Sequence, residues 1–315
     1  MPVHLSKWEF PVQTIQLVVP LFALMTLGYV LKKVRFFSSG FVGDLNRFIF
    51  YIALPVTLFL QTSDMSDAFA GAGVAAIMQP VTIVSVAIVA TFIAFRAAPA
   101  RRGPFTQASY RANMAYLGLP IVATVLGDAA LGIVAVTIAA GVVTNSVVSV
   151  LVLRMNDPDS GGQSPWRRLL DVARNPLIIA IVLGLGFSLT GLSLPGLANE
   201  TLALLQRVSL PLVLIVVGYS FSFAKVSSRF GIAVGAAFLK LAFMPFFAWA
   251  LLTWGFGVDG MVRSAIVLMT AMPTAVASQS FAAAFNADEQ LAAAAVSFST
   301  LASLVTIPLW IHFLL

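Results

Sequence analysis

Arg111-Ala112-Asn113-Met114-Ala115-Tyr116-Leu117-Gly118-Leu119-Pro120 lies in the middle of an apolar run covering residues 106–127. About 20 apolar residues suffice for a helix to cross a bilayer, and this run is long enough. A proline inside such a helix removes an amide donor and clashes with the carbonyl one turn earlier. The freed backbone groups then need partners in protein or in a wet cavity. A second run, 261–286, repeats the situation with Met269-Thr270-Ala271-Met272-Pro273-Thr274-Ala275-Val276-Ala277-Ser278-Gln279. Together they predict two interrupted helices whose second halves start at Pro120 and Pro273 and aim positive dipole ends and spare amides at one point near the midplane. Such a point attracts an anion. Asn113 precedes Pro120 by two turns on the same face, with Tyr116 between them, and Ser278 and Gln279 follow Pro273. The competing reading is a plain kink, with the amides joining neighbouring helices. A matched pair of prolines with amides beside both favours a site.

Eight further runs surround these two, giving approximate spans 12–31, 43–61, 73–95, 106–127, 129–153, 175–191, 197–222, 229–254, 261–286 and 290–314. Composition agrees: 60% of the 315 residues are hydrophobic, 10% are charged and mean hydropathy is +0.98. A soluble domain carries roughly 25% charge. The fold class expected is an all-α membrane protein of ten transmembrane helices. One set of connections carries Lys32, Lys33 and Arg35, then Arg96, Arg101 and Arg102, then Arg154, Arg167, Arg168 and Arg174, then Lys225 and Arg229. The alternate connections near 62–72, 128, 192–196 and 255–260 carry no Lys or Arg. This asymmetry puts the basic loops in the cytoplasm and both termini outside, so the formal charge of +6 encodes topology rather than nucleic-acid binding. The turn at Asp288 and Glu289 falls on the cytoplasmic side without a basic residue and departs from the pattern. The N-terminus shows no small-residue cleavage pattern, so the first run reads as a retained helix.

The longest connection, 155–174, opens with Asn156-Asp157-Pro158-Asp159-Ser160-Gly161-Gly162 and closes with Trp166-Arg167-Arg168-Leu169-Leu170, a flexible linker followed by an interfacial helix. It separates 1–154 from 175–315, with five spans in each. An odd number per half places the halves in opposite orientations across the bilayer. Self-similarity supports duplication: an offset of 156 pairs Pro20 with Pro176, Leu21 with Leu177, Leu27 with Leu183, Gly28 with Gly184, Asp44 with Glu200 and Leu54-Pro55 with Leu210-Pro211. Gly28, Gly118 and Gly184 are expected where helices approach closely, or as hinges, with packing the default reading.

These residues carry a resemblance. The chain resembles the auxin efflux carrier family in its compact bacterial form, whose crossed-helix fold is related to that of bile acid/sodium symporters. The similarity spans nearly the whole chain. Its most specific pieces are Arg111-Ala112-Asn113 running to Gly118-Leu119-Pro120, Lys240-Leu241 with Pro245, and the tail from Pro273 through Phe281-Ala282-Ala283-Ala284-Phe285 to Ser299-Thr300-Leu301-Ala302-Ser303 and Ile307-Pro308-Leu309. The resemblance implies two inverted five-helix repeats, a scaffold of helices 1, 2, 6 and 7, and a moving transport unit of helices 3–5 and 8–10. It also implies that helices four and nine cross around an organic-anion site, with Asn113 matching the family's substrate asparagine. At the second crossing this chain has Ser278 and Gln279 and no asparagine beside Pro273, a departure from a symmetric pair of amide ligands. Bacterial relatives are associated with dicarboxylates such as malate and malonate, and plant members with auxin.

The carboxylates all fall in loops or near helix ends, which disfavours cation exchangers, since these need acids at the midplane. Lys240 is the exception among charged groups, about eleven residues into its span, where an ammonium costs roughly 2.5–3.5 kcal/mol. Two readings stay open for it. It replaces a coupling cation, holding unwound carbonyls or balancing substrate charge, or it snorkels or bonds a carbonyl structurally. Asn145 and Thr300, on spans five and ten, line the crossing or join helices. Arg111 and Arg263 are expected near opposite membrane faces, anchoring helix ends or drawing substrate to the two mouths. Arg207 is placed to pair with Glu200 on one face, and Trp8, Trp166, Trp249, Trp254 and Trp310 fit an interfacial belt. With no cysteine, and histidines only at His4 and His312, neither a cofactor nor a metal is expected. No enzyme constellation is present either.

The expected function is a secondary carrier of a small mono- or dicarboxylate, multi-pass in the bacterial inner membrane, working by elevator or rocking motion. Substrate contacts are assigned to Asn113, Tyr116, Gly118, Leu119, Pro120, Met272, Pro273, Thr274, Ser278 and Gln279, and coupling or charge compensation to Lys240, Asn145 and Thr300. The lipid bilayer is the surrounding partner, and the scaffold offers a homodimer surface. The alternatives are a cation-coupled anion symporter of the bile-acid type and an anion channel.

Overall fold

Backbone in hydrocarbon must satisfy its own amides and carbonyls, and each apolar run accordingly forms helix. The computed structural model describes residues 9–63, 69–156, 174–220, 229–285 and 287–315. In chain order the first half contains α1 (Glu9–Lys33), α2 (Ser39–Phe48), α3 (Leu54–Ser63), α4 (Phe69–Ala94), α5 (Pro99–Tyr110), α6 (Leu119–Leu126) and α7 (Leu131–Asn156). The second half contains α8 (Pro176–Leu189), α9 (Gly196–Ser220), α10 (Phe230–Phe238), α11 (Met244–Ala250), α12 (Gly260–Ala271), α13 (Ala277–Ala284) and α14 (Glu289–Leu314). Among the described residues no strand forms, only one isolated pair described below. Among the described residues six segments are long and apolar enough to cross a membrane: Gly40–Leu60, Gly71–Ala94, Asp128–Leu153, Gly196–Ser220, Phe230–Gly255 and Glu289–Leu314. Met114–Leu126, Pro176–Leu189 and Gly260–Ala271 are shorter apolar helices. Large apolar side chains such as Phe92, Leu183, Leu197 and Val305 stand exposed, as a lipid solvent allows. The linker and interfacial helix expected over 155–174, including Trp166, lie outside the described residues apart from its two ends. So does Trp8.

Proline governs the local geometry. Ile49–Ala53, Met114–Gly118 and Leu239–Phe243 are π-turns, and each ends two residues before a proline, Pro55, Pro120 and Pro245. Widening the helix by one residue relieves the clash between the ring and the carbonyl one turn back. Pro120 therefore does not open its helix, which runs without interruption from Met114 to Leu126. The expected break at Pro120 is corrected by this. At Pro245 the carbonyl left without an amide belongs to Leu241, and the Trp310 indole donates to it at 2.8 Å.

Glycines set the closest helix contacts. α1 lies along α9 and α8 along α3. A methyl on Gly28 would strike the Ile215 carbonyl, and one on Gly184 would strike the Phe59 carbonyl. A shift of 156 residues carries Gly28 onto Gly184 and Phe59 onto Ile215, so the two contacts exchange. Ser209 donates to the Ala53 carbonyl at 3.2 Å across the same separation. Because backbone cannot yield as a flexible side chain can, Gly28→Leu is expected to cost at least about 1–3 kcal/mol. The thermal unfolding midpoint in detergent should drop accordingly. Gly43→Ala, with no atom within 4 Å, should leave it level or slightly raised, and equal midpoints for the two variants would refute the packing account.

The remaining helices form a second group, α4 along α7 and α5, and α10 along α14. Ala90, Ala94, Ala108, Ala233, Ala236 and Ala294 let four of these helices meet closely at one end. At that same end Asp288 accepts Arg229 at 3.1 Å and Arg101 at 3.4 Å, and its amide donates to the Ala100 carbonyl at 3.0 Å. The acidic turn that departs from the basic pattern thus meets basic residues from two neighbouring connections. The Glu200–Arg207 pairing does not form, and no ion pair joins the two among the described residues. Trp249 stacks edge-on against Trp254 and Phe313, and Phe313 against Trp310, in one aromatic cluster.

Candidate functional site

Among the described residues two helices are interrupted, and their gaps meet. α5 ends at Tyr110 and helix resumes at Met114, while α12 ends at Ala271 and helix resumes at Ala277. Ala112 and Thr274 pair antiparallel across the gap. The Asn113 amide donates to the Pro273 carbonyl at 2.8 Å, and the Ala275 amide donates to the Arg111 carbonyl at 2.9 Å. Arg111 is extended, with φ −76° and ψ 94°, and Met272 likewise, with φ −63° and ψ 146°. Extended backbone inside a helical protein leaves amides and carbonyls unpaired, and their partners define the site.

Several carbonyls beside the gap are occupied. Ala108 O accepts the Thr274 hydroxyl at 2.8 Å, and the Thr274 amide donates to Ser299 Oγ at 3.0 Å. Lys240, fully buried, gives its ammonium to the Thr270 carbonyl, which the gap has deprived of its amide partner. Met244 Sδ is its other neighbour, at 3.4 Å. A carbonyl partner belongs to both readings of Lys240, as the holder of an unwound carbonyl in place of a cation and as a structural bond, and Thr270 supplies that carbonyl.

The amide ends are different. Asn113 O accepts from Leu117 and Gly118, but the amides of Met114, Ala115 and Tyr116 find no acceptor among the described residues. Asn113 is 6% exposed, and its side chain hydrogen-bonds to no described residue. Ser278 Oγ is buried and unpaired as well. The positive end at the first gap therefore belongs to the segment starting at Met114, six residues before Pro120.

Other assigned residues distribute unevenly. Gly118 lets Met269 and Met272 approach, where a methyl would meet Met269 Sδ at 2.7 Å and Met272 Cγ at 3.2 Å. Leu119 and Pro120 are buried in the helix beyond. Tyr116 reaches away from the pair and donates to Asn46 Oδ1 at 2.9 Å. Gln279 donates to Glu289 Oε1 at 3.0 Å, toward the connection before α14, and so is not brought to the pair. Asn145 lies one turn after Gly141, which abuts Met114, and one turn before Ser149, which bonds Tyr110 and Arg111; its Oδ1 is buried and unpaired. Thr300 turns its hydroxyl to the Val296 carbonyl of its own helix at 2.8 Å, and its neighbour Ser299 makes the contact with the pair.

Arg111 is placed differently from the sequence expectation. It sits at the gap rather than at a membrane face, with Nη1 3.0 Å from Ser149 Oγ and its guanidinium 4.2 Å from the Phe281 ring centre. Arg263 lies three residues into α12 and donates to Thr253 Oγ1 at 3.3 Å. Ser149 and Thr270 do not stand out in the sequence, because small hydroxyl residues are common at membrane helix contacts and carry no spacing signal.

The family model described as membrane transport protein matches residues 13–311. An uncharacterised transporter of Methanothermobacter thermautotrophicus is 28% identical over 303 residues, covering 93% of this chain and 96% of its own. The uncharacterised transporter YfdV of Escherichia coli K12 is 25% identical over 310 residues, covering 93% and 95%. An uncharacterised transporter of Methanocaldococcus jannaschii is 23% identical over 301 residues, covering 91% and 94%.

Proposed function

We propose, from the premise that the chain belongs to the membrane transport protein family, which is the auxin efflux carrier family, that it is a secondary carrier of a small organic anion. One observation carries this reading. Around the Ala112–Thr274 pair the carbonyls of Ala108, Arg111, Thr270 and Pro273 are taken by a hydroxyl, an ammonium and two amides, whereas the amides of Met114 to Tyr116 and the Asn113 side chain are left without acceptors among the described residues. Three successive free amides at the start of a helical segment, beside a free side-chain amide, favour negative charge over positive.

The architecture we propose around it is ten membrane helices in two inverted repeats, 1–154 and 175–315. The exchange of the Gly28–Ile215 and Gly184–Phe59 contacts supports this. So does the gap itself, where the bonds Asn113 to Pro273 and Ala275 to Arg111 exchange under a shift of 162 residues. α1 to α3 with α8 and α9 form the scaffold, and the remaining helices form the transport unit, which moves against it in an elevator cycle. Asp288 tying Arg101 and Arg229 supports a unit that moves as one body. The scaffold face is the proposed homodimer surface and the bacterial inner membrane the proposed location, with basic connections on the cytoplasmic side.

The test is a carboxylate screen on purified protein by thermal shift, followed by counterflow in proteoliposomes. At least one mono- or dicarboxylate should raise the unfolding midpoint and should exchange saturably across the membrane. Stabilisation by a cation or a sugar alone would reject the reading, and an ohmic, unsaturable current would make the protein a channel.

A further inference from the structure

Two cations lie deep in the second helix group, and they differ in what remains free on each. Lys240 is fully buried and already capped by the Thr270 carbonyl. Arg111 is only partly buried and stands at the gap itself, ten residues beyond Arg101, which is about 15 Å along a helix and close to the middle of the hydrocarbon layer. Its backbone carbonyl holds Ala275 and its ring partner Phe281 belongs to α13, so it touches both interrupted helices.

A guanidinium offers five N–H donors in one plane. Ser149 takes one of them, and Ser149 is itself held by the Tyr110 hydroxyl at 3.0 Å. Phe281 covers a face of the group and takes no donor. Stacking on a face leaves the in-plane edge open, which is the geometry for receiving a carboxylate in bidentate fashion. No Asp or Glu among the described residues pairs with Arg111. A permanent charge near the middle of a membrane without an internal counter-ion points to a counter-ion that arrives from outside.

We infer that Arg111 is a substrate-binding residue, taking the carboxylate of the transported anion in the plane of its guanidinium while Phe281 and Ser149 hold that plane in position. The inference rests on the carrier reading above. Asn113 and the neighbouring amides supply neutral hydrogen bonds, whereas Arg111 supplies the charge. Arginine-to-lysine exchange is therefore not conservative at this position.

The experiment measures binding of acetate, lactate, malonate and malate, with malonamide as the uncharged control, to wild type, Arg111→Gln and Arg111→Lys. For each acid that stabilises the wild type, Arg111→Gln should weaken binding by about 30-fold or more. Arg111→Lys should recover only part of that affinity. Any residual malonamide affinity should change little, because a neutral amide forms no ion pair with the guanidinium. Unchanged acid affinity in Arg111→Gln, or equal weakening of malonate and malonamide, overturns the inference and leaves the carrier reading standing. If none of the four acids binds the wild type, the inference and the carrier reading fall together.

Discussion

Lys240→Met should cut transport by about 5- to 150-fold while leaving the protein as stable as the wild type. Methionine matches the lysine stem in length and removes the ammonium from the Thr270 carbonyl. An orphaned buried carbonyl costs about 1–3 kcal/mol. Against this, the variant no longer buries a charge that costs roughly 2.5–3.5 kcal/mol in a membrane helix. The two effects nearly cancel in global stability, so the unfolding midpoint should stay level or rise. They do not cancel at the gap. Thr270 is the next-to-last residue of α12, and its freed carbonyl would compete for the Thr274 amide that now holds Ser299. Helix would then extend across the gap, and a bias of about 1–3 kcal/mol corresponds to about a 5- to 150-fold loss of the competent arrangement. Initial uptake rates in proteoliposomes, read beside unfolding midpoints, decide the matter. Wild-type uptake in Lys240→Met would remove the ammonium from the mechanism.

The all-helical class and the presence of interrupted helical segments at 106–127 and 261–286 are legible in the sequence because they depend on apolar length and on backbone satisfaction. The location of the first gap is not. Proline marks both candidates, but only Pro273 lies within a gap, whereas Pro120 is absorbed by a π-turn. The exchange of Asn113–Pro273 with Ala275–Arg111 aligns Arg111, not Pro120, with Pro273. Nothing in Arg111-Ala112-Asn113 forbids helix, since arginine and alanine are good helix formers. The gap there is held by tertiary partners: Pro273 and Ala275 from the other interrupted helix, Ser149 from α7 and Phe281 from α13. That is why spacing from the proline alone makes Arg111 resemble a headgroup anchor. The offset of 156 which relates α1 to α8 also fails at the gap, where the shift is 162, so a single register cannot locate the match. Lys240 is legible as an anomaly because a charge deep in an apolar span has few explanations. Its partner is not, because a backbone carbonyl leaves no mark in a sequence.

Asn113→Asp is the sharpest probe of the sign of the charge that the gap receives. At a residue 6% exposed, the substitution keeps size and shape and replaces a neutral amide, bonded to no described residue, with a carboxylate. At about 5 Å from a bound carboxylate and an effective dielectric near 20, the repulsion is about 3 kcal/mol, or roughly 200-fold in affinity. A second effect acts in the same direction, because a carboxylate two residues from Arg111 can occupy the guanidinium edge and exclude the substrate. Asn113→Ala removes only a hydrogen bond to a charged group, about 1.5–3 kcal/mol. Aspartate should therefore be the more damaging of the two for uptake of any carboxylate that the wild type carries. For a cationic substrate the order reverses, since the new charge would attract what the amide only tolerated. Uptake by Asn113→Asp at or above the Asn113→Ala rate would mean that positive charge arrives at the Ala112–Thr274 pair, and an anion carrier built on these amides would be the wrong machine.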